Sequence, residues 1–260
     1  MARPRTFALG LLLIAGVLGG PRGAEAAAAN SFCSNTAPNV VFYLDVTSAY
    51  DQTDQDALVS GIGQIFDALH DGSRLSIRTI EDTFTRSSEL LDACLPYCPD
   101  NGFFGNLVSK CTEGVVINEK KKLRNEIRTA LATRLHSASD LPKSEIVRTF
   151  ATSAAEEYRA GRDNIFFVFS DMIENSAYLS GSVFFSTPTA ALTARLAKDQ
   201  LVPNLSGTKI DVFGFGRSGV SGARNALPQD RIKKLTDFWR AYFQLSGATI
   251  SFEQNLATGQ

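Results

Sequence analysis

The residues best suited to chemistry are Asp45-Val46-Thr47-Ser48, which follow directly on the apolar run Val40 to Leu44 and precede a second acid, Asp51. A carboxylate and two hydroxyls within four residues are hard oxygen donors, the kind that hold a divalent cation such as Mg²⁺ or Mn²⁺. A second stretch, Asn164 to Asn175, repeats the plan: Ile165 to Phe169 is apolar and ends in Ser170 and Asp171. Short apolar runs that stop at a polar cluster read as strands buried on both faces, the usual state of central parallel strands. Open α/β sheets place their ligands just past the carboxyl ends of such strands. If the two strands are parallel neighbours, Asp45, Thr47 and Asp171 converge at one rim. The competing reading is that Asp45 and Asp171 only cap loop amides and helix N-termini, which needs no metal. Asp51 and Glu174 read as exposed acids.

From Asn39 to Phe252 the chain resembles the von Willebrand factor A-type family, whose metal-ion-dependent adhesion site uses an Asp-x-Ser-x-Ser turn after the first strand. Asp45 matches its aspartate and Thr47, by hydroxyl equivalence, its first serine; Ala49 stands where the second hydroxyl belongs. The resemblance adds a threonine opening a later helix, matched by Ser144 in LPKSEIVRTF, and an aspartate after the next central strand, matched by Asp171. Met172 replaces the glycine that often follows that aspartate. The metal set implied is therefore Asp45, Thr47, Ser144 and Asp171, with water or Asp51 left to complete about six oxygens. In the family such a site uses the cation to take a carboxylate from a protein partner.

Other chemistries fare worse. Gly214-Phe215-Gly216-Arg217-Ser218-Gly219 satisfies GxGxxG, but the next helix begins some ten residues later and no acid follows at the required spacing, so it reads as a flexible rim loop. A phosphatase nucleophile at Asp45 calls for Asp-x-Asp, and Thr47 holds the second position. GxSxG is absent. His70 and His136 fall at helix ends and read as cap residues. Tyr178, Phe184 and Phe185, in the long loop Asn175 to Pro188, are either partner anchors or a cover for the sheet, and Phe103 and Phe104 share that ambiguity.

The elements that must position these residues alternate along the chain. The strands expected are Val40 to Leu44, Arg74 to Ile80, a short antiparallel Ser87 to Leu91, Ile165 to Phe169, Lys209 to Phe215 and Thr249 to Phe252. Helices are expected over about Asp54 to His70, Lys120 to His136, Ser144 to Arg159, Thr189 to Asp199 and Gln229 to Leu245. Such alternation means an α/β fold: a three-layer, doubly wound, mostly parallel six-stranded sheet with one antiparallel strand and helices on both faces. Residues 39–255 form one domain after a lead at 30–38, with a cysteine-rich insertion at 93–114.

Residues 1–29 read as a signal peptide. Arg3 and Arg5 precede an apolar core from Phe7 to Leu18, and Ala24-Glu25-Ala26 is a small-x-small cleavage site. The apolar core is shorter than the roughly 20 residues a membrane span needs, and the mature chain has no longer one. Cys33, Cys94, Cys98 and Cys111 are an even set suited to an oxidising compartment, and they allow two disulfides in three pairings. A Cys₄ zinc site is the rival, without the usual second close pair.

A net charge of −1 argues against a nucleic-acid or anionic-membrane partner, and 44% hydrophobic residues with 18 Phe support a folded core. The expectation is a non-enzymatic, secreted or periplasmic binding domain for a protein partner, with Mg²⁺ or Mn²⁺ as its cofactor. The alternatives are a metal-independent structural component of the cell envelope and a phosphate-ester hydrolase using Asp45.

Overall fold

The computed structural model describes residues 32–98, 111–218 and 225–253. At its centre β1 (Asn39–Asp45) and β4 (Asn164–Phe169) run parallel and hydrogen-bonded, Asn39 opposite Asn164 and Leu44 opposite Phe169. No strand intervenes, so their carboxyl ends open on a common rim. Outward from β1 lie β2 (Arg74–Ile80) and then β3 (Glu89–Cys94); outward from β4 lie β5 (Lys209–Phe213) and then β8 (Thr249–Glu253). Of these six strands only β3 is antiparallel. β6 (Arg217–Ser218) and β7 (Asn225–Ala226) form a separate small hairpin. This is the doubly wound α/β architecture expected from the alternation of elements.

Every residue of β1 is buried, and the period of two divides them between two cores. Val40, Phe42 and Leu44 meet Leu58, Ile62 and Phe66 of α1 (Gln52–Ala68) and the stripe Leu123, Ile127, Leu131 and Leu135 of α2 (Glu113–His136). Val41 and Tyr43 face the other side. There they join α3, which opens at Ile146–Thr149, α5 (Thr189–Lys198) and the aromatic stripe Leu235, Phe238, Trp239, Tyr242 and Phe243 of α6 (Gln229–Leu245). A continuous apolar strand is what a sheet covered on both faces demands.

Several boundaries move for physical reasons. α2 starts at Glu113, seven residues before the expected Lys120, because the Thr112 side chain accepts from the Val115 amide and caps it. α3 is not one regular helix: after Thr149 it widens into a π-helical segment, Phe150–Ala154, and closes as Ala155–Glu157. The hydroxyls of Thr149, Thr152 and Ser153 bond back to carbonyls three or four residues earlier, the local competition that bends helices. The expected loop before Pro188 contains a short helix, α4 (Gly181–Ser186). β3 runs later than expected because a 3₁₀ turn, Phe84–Arg86, occupies the link after β2. β5 stops at Phe213 because Gly214 turns the chain at φ 81°.

The cysteines pair as Cys33–Cys94 and Cys98–Cys111, which selects one of the three pairings and leaves no thiolates for zinc. From loop lengths of 61 and 13 residues, closure entropy stabilises the fold by about 4 and about 3 kcal/mol. The first bridge fastens the N-terminal lead to the end of β3. Residues 1–29, and Phe103 and Phe104, lie outside the described residues. Among the described residues no helix is long and apolar enough to cross a membrane.

At the amino ends of the central strands a buried polar network ties the sheet to α3. Glu157, 1% exposed, accepts from Arg74 and Arg78 of β2, while Asn39 bonds both to the Glu157 carbonyl and to Asn164. Burial alone would raise the Glu157 carboxyl, but hydrogen bonds and charge from Arg74 and Arg78 hold it below the ordinary carboxylate value. Glu157→Ala takes the buried acid from both guanidiniums, leaving Arg74 to Asp92 and Arg78 to the more exposed Glu89 and Glu156, and is expected to lower the urea-unfolding free energy by about 2–3 kcal/mol. A loss under about 1 kcal/mol would show the arginines to be solvated instead.

Candidate functional site

The carboxyl ends of β1 and β4 open into a cleft of about 200 Å³ whose walls include Thr47, Ser48, Lys143, Ser144, Asp171 and Asn175. Three of the four residues expected to bind metal thus share one cavity. The fourth, Asp45, is 3% exposed and lies beneath it.

Asp45 ends β1 and gathers donors from three segments. Its Oδ1 accepts the Thr47 amide at 3.0 Å and the Thr47 hydroxyl at 2.6 Å; its Oδ2 accepts the Ser170 hydroxyl at 2.6 Å and, more distantly, the Ser144 hydroxyl at 3.5 Å. A buried carboxylate needs such partners. A hydroxyl that gives its proton to Asp45 keeps its lone pairs for an electrophile in the cleft. Asp171 folds back in the same way, its Oδ1 accepting the Ile173 amide at 2.8 Å. Both acids therefore act as caps of their own loops, as the capping reading expects.

The turn after β4 is held from several sides. Met172, where a glycine was the family expectation, takes the left-handed conformation at φ 61°, at a cost of about 1–2 kcal/mol. Its amide donates to the Ser170 hydroxyl at 2.9 Å, and its carbonyl accepts the Trp239 indole N–H of α6 at 2.8 Å. On the far wall Ser144 is not inside a helix: it forms an isolated antiparallel bridge with Asn175, just before α3. The Asn175 side chain fixes the same wall by donating to the Pro142 carbonyl at 2.6 Å.

The other singled-out residues sort plainly. Asp51 is exposed and is the N-cap of α1, accepting the Asp54 amide at 2.8 Å. Glu174 is not the exposed acid expected from its loop position but is 1% exposed. Its Oε2 accepts the Ile146 and Val147 amides at 2.8 and 2.9 Å, closing the N-terminus of α3, while Oε1 makes no hydrogen bond. Of the loop aromatics, Phe184 packs edge-on against Phe238 in the core, Phe185 lies under Arg231, and Tyr178 is half-buried, with Arg148 and Arg195 over its ring. Gly214 and Gly216 both have positive φ, and the Gly216 amide donates to the Asp171 carbonyl at 3.1 Å; this segment leads into the β6–β7 hairpin rather than a helix. Residue 219 lies outside the described residues.

Ser48 and Ser170 were noted in the sequence but given no place in the metal set; two further contributors escaped it altogether, Lys143 and Asp140, whose Oδ1 accepts the Ala49 amide at 2.9 Å and which also borders the cleft. Ser170 was signalled by its place between an apolar run and Asp171. Asp140 and Lys143, about a hundred residues from β1, carried no local signal. Among the described residues no three His, Cys, Asp or Glu side chains gather as a metal cluster, so any cation here would need hydroxyls and water beside the Asp171 carboxylate.

No family model matches the chain, and no curated protein is significantly similar to it. Among solved structures, a von Willebrand factor type A protein from Catenulispora acidiphila aligns with a TM-score of 0.45 and 12% identity, over 86% of this chain and 40% of that one. The pilus adhesin SpaC from Lactobacillus rhamnosus GG, in an open conformation, aligns with a TM-score of 0.41 and 9% identity, over 88% of this chain and 29% of that one. The chain thus spans less than half the length of either. At these values the likeness concerns chain arrangement alone.

Burial pushes the Glu174 carboxyl up to about 7, against the pull of Ser176 and of the Val147 and Ile146 amides, and nearby Glu145 adds to the rise. The folded state therefore keeps a proton that the unfolded chain releases near pH 4.5, so stability falls as pH rises between those values and levels off above them. Glu174→Gln is expected to remove this slope. Across that range urea unfolding should shift in favour of the variant by on the order of 3 kcal/mol relative to wild type. Parallel pH profiles for the two proteins would place the charge elsewhere.

Proposed function

We propose that this chain is an exported, non-enzymatic protein-binding domain whose contact face is the rim cleft, and that a divalent cation, Mg²⁺ or Mn²⁺, takes part in binding. The observation that supports this most is the gathering of Thr47, Ser144 and Asp171 in one cleft above Asp45, which accepts hydroxyl protons from the first two. In this reading Thr47, Ser144 and Asp171 offer oxygens to the cation while Asp45 orients the hydroxyls and supplies negative charge below. Asp140 and Ser48, on the same walls, are at hand where Ala49 offers no hydroxyl. When bound, the cation would supply an open coordination position for a partner carboxylate. Two disulfides agree with an extracytoplasmic location.

Hydrolysis through Asp45 is disfavoured because its carboxylate is nearly inaccessible and already accepts from four donors. A metal-independent structural role is the second reading. It is favoured by Lys143, a basic residue on the wall of the same cleft, and by the self-capping of both acids.

Calorimetric titration separates the two. Mg²⁺ or Mn²⁺ is expected to bind wild type with a Kd of about 10⁻⁴ to 10⁻³ M, the range of open oxygen sites with few acids. Asp171→Asn should abolish the heat, and Lys143→Gln should strengthen binding. Silence in wild type with both metals removes the cation and leaves the structural role.

A further inference from the structure

On the flank of the sheet, away from the cleft, lies an open groove of about 840 Å³. Leu90 and Leu91 of β3 wall it on one side, and Lys122, Glu126, Ala130 and Thr133 of α2 on the other. β3 is an edge strand, and Leu90 is the extra residue of a bulge where the register with β2 shifts between Ile77 and Arg78, so two successive leucines reach the same groove. The α2 wall is one stripe: Val115, Lys122, Glu126, Thr129 and Thr133 follow at intervals of seven, four, three and four residues, the spacing of a helix-packing seam. This stripe runs beside the core stripe of Leu123, Ile127, Leu131 and Leu135, not on it.

Two features leave this face without a partner inside the domain. Four large apolar side chains are exposed among the described residues, and two of them, Val115 and Ile117, lie in the first turns of α2. No residue from Glu113 to Lys122 is buried, so about 15 Å of helix stands clear of the core. Lys120 and Arg124 pair with Asp71 and Asp67 beside α1. Lys122 and Glu126 make no ion pair or hydrogen bond among the described residues, not even with each other across one turn. Opposite charges one turn apart on a stripe are complementary to the same stripe run in reverse.

We infer that the groove takes a second copy of this chain, the two α2 helices lying antiparallel with Lys122 of each copy against Glu126 of the other. That pairing sets a two-fold axis level with Arg124. Seven residues outward from it on each helix, Val115 of one copy meets Thr133 of the other and enters the leucine-walled groove, while Asn118 meets Ala130. A two-fold contact needs a self-complementary patch, and this stripe is one. α2 has 24 residues, about 36 Å, long enough for two copies to bury the roughly 1,000 Å² of a stable interface. α2 ends four residues before Asp140, which borders the cleft, so antiparallel pairing points the two clefts to opposite ends and leaves both open. The pairing does not depend on what the cleft binds.

The test is sedimentation velocity on the protein with both disulfides formed. Wild type is expected to be a dimer at about 100 µM and to dissociate on dilution. Lys122→Glu and Glu126→Lys, both at exposed positions, should each weaken dimerisation by about tenfold or more, and the two together should return it to within about threefold of wild type. Ala130→Glu, which puts a charge into the groove, should leave a monomer. Lys121→Glu makes the same charge change off the stripe and should alter the dimer constant by less than about twofold. Circular dichroism melts of each variant exclude misfolding, and the charge exchange keeps the test valid if Ala130→Glu unfolds. A monomer at every concentration overturns the inference, and so does an assembly larger than two. A folded Ala130→Glu variant that still dimerises overturns it as well, as do single exchanges without rescue by the double. A dimer weakened as much by Lys121→Glu as by Lys122→Glu reports net charge and not this seam, and overturns it too.

Discussion

A carboxylate at the end of a strand buried on both faces must be satisfied by whatever neighbouring segments bring to it. Asp45 is in that position, and the surrounding architecture follows from its needs. One oxygen is met locally by Thr47, and the other by Ser170 from the adjacent strand and Ser144 from the far wall. Each donor sits on a different segment, so the carboxylate acts as the point where β1, β4 and the approach to α3 are registered against one another. Removing water from such a group raises the cost of any missing partner, which makes the arrangement both rigid and demanding.

The same sheet carries a second buried polar junction at its other end, where Glu157 joins β2 to the end of α3. α3 is therefore held at both extremities by acids, Glu174 closing its first amides and Glu157 ending it. Between them the helix takes a π-helical turn, and the hydroxyls of Ser153 within that turn and Tyr43 of β1 are hydrogen-bonded at 3.3 Å. A helix anchored at two fixed points along a strand of set length has to absorb the mismatch in between, and a π-turn does so with one extra residue per turn.

How much of this could be read in advance depended on how local each signal was. β1 and β4 were legible because short uninterrupted apolar runs such as VVFYL and IFFVF are the pattern of strands covered on both faces. From them the meeting of Asp45 and Asp171 at one rim followed. Glu174 misled because a charged residue between Asp171 and a serine-rich loop looks solvated. Its burial depends on two amides nearly thirty residues earlier, which periodicity does not reveal. Asp140, Lys143 and the Arg148–Tyr178–Arg195 stack are likewise products of tertiary approach. The cysteine pairing was open for the same reason: nothing in the spacing says that Cys33 returns to the end of β3. GxGxxG, in contrast, was weighed on local grounds alone, and its second glycine leads into the strand Arg217–Ser218 and not into a helix.

The indole that grips the Met172 carbonyl belongs to the only tryptophan in the chain. Its ring is completely buried, yet its N–H touches the turn that presents Asp171. The emission of the unmodified protein is thus dominated by a single chromophore wired to the cleft floor. Displacement of that turn by an ion, a peptide or a proton would alter the polarity around the indole, giving an optical readout of occupancy with no label attached.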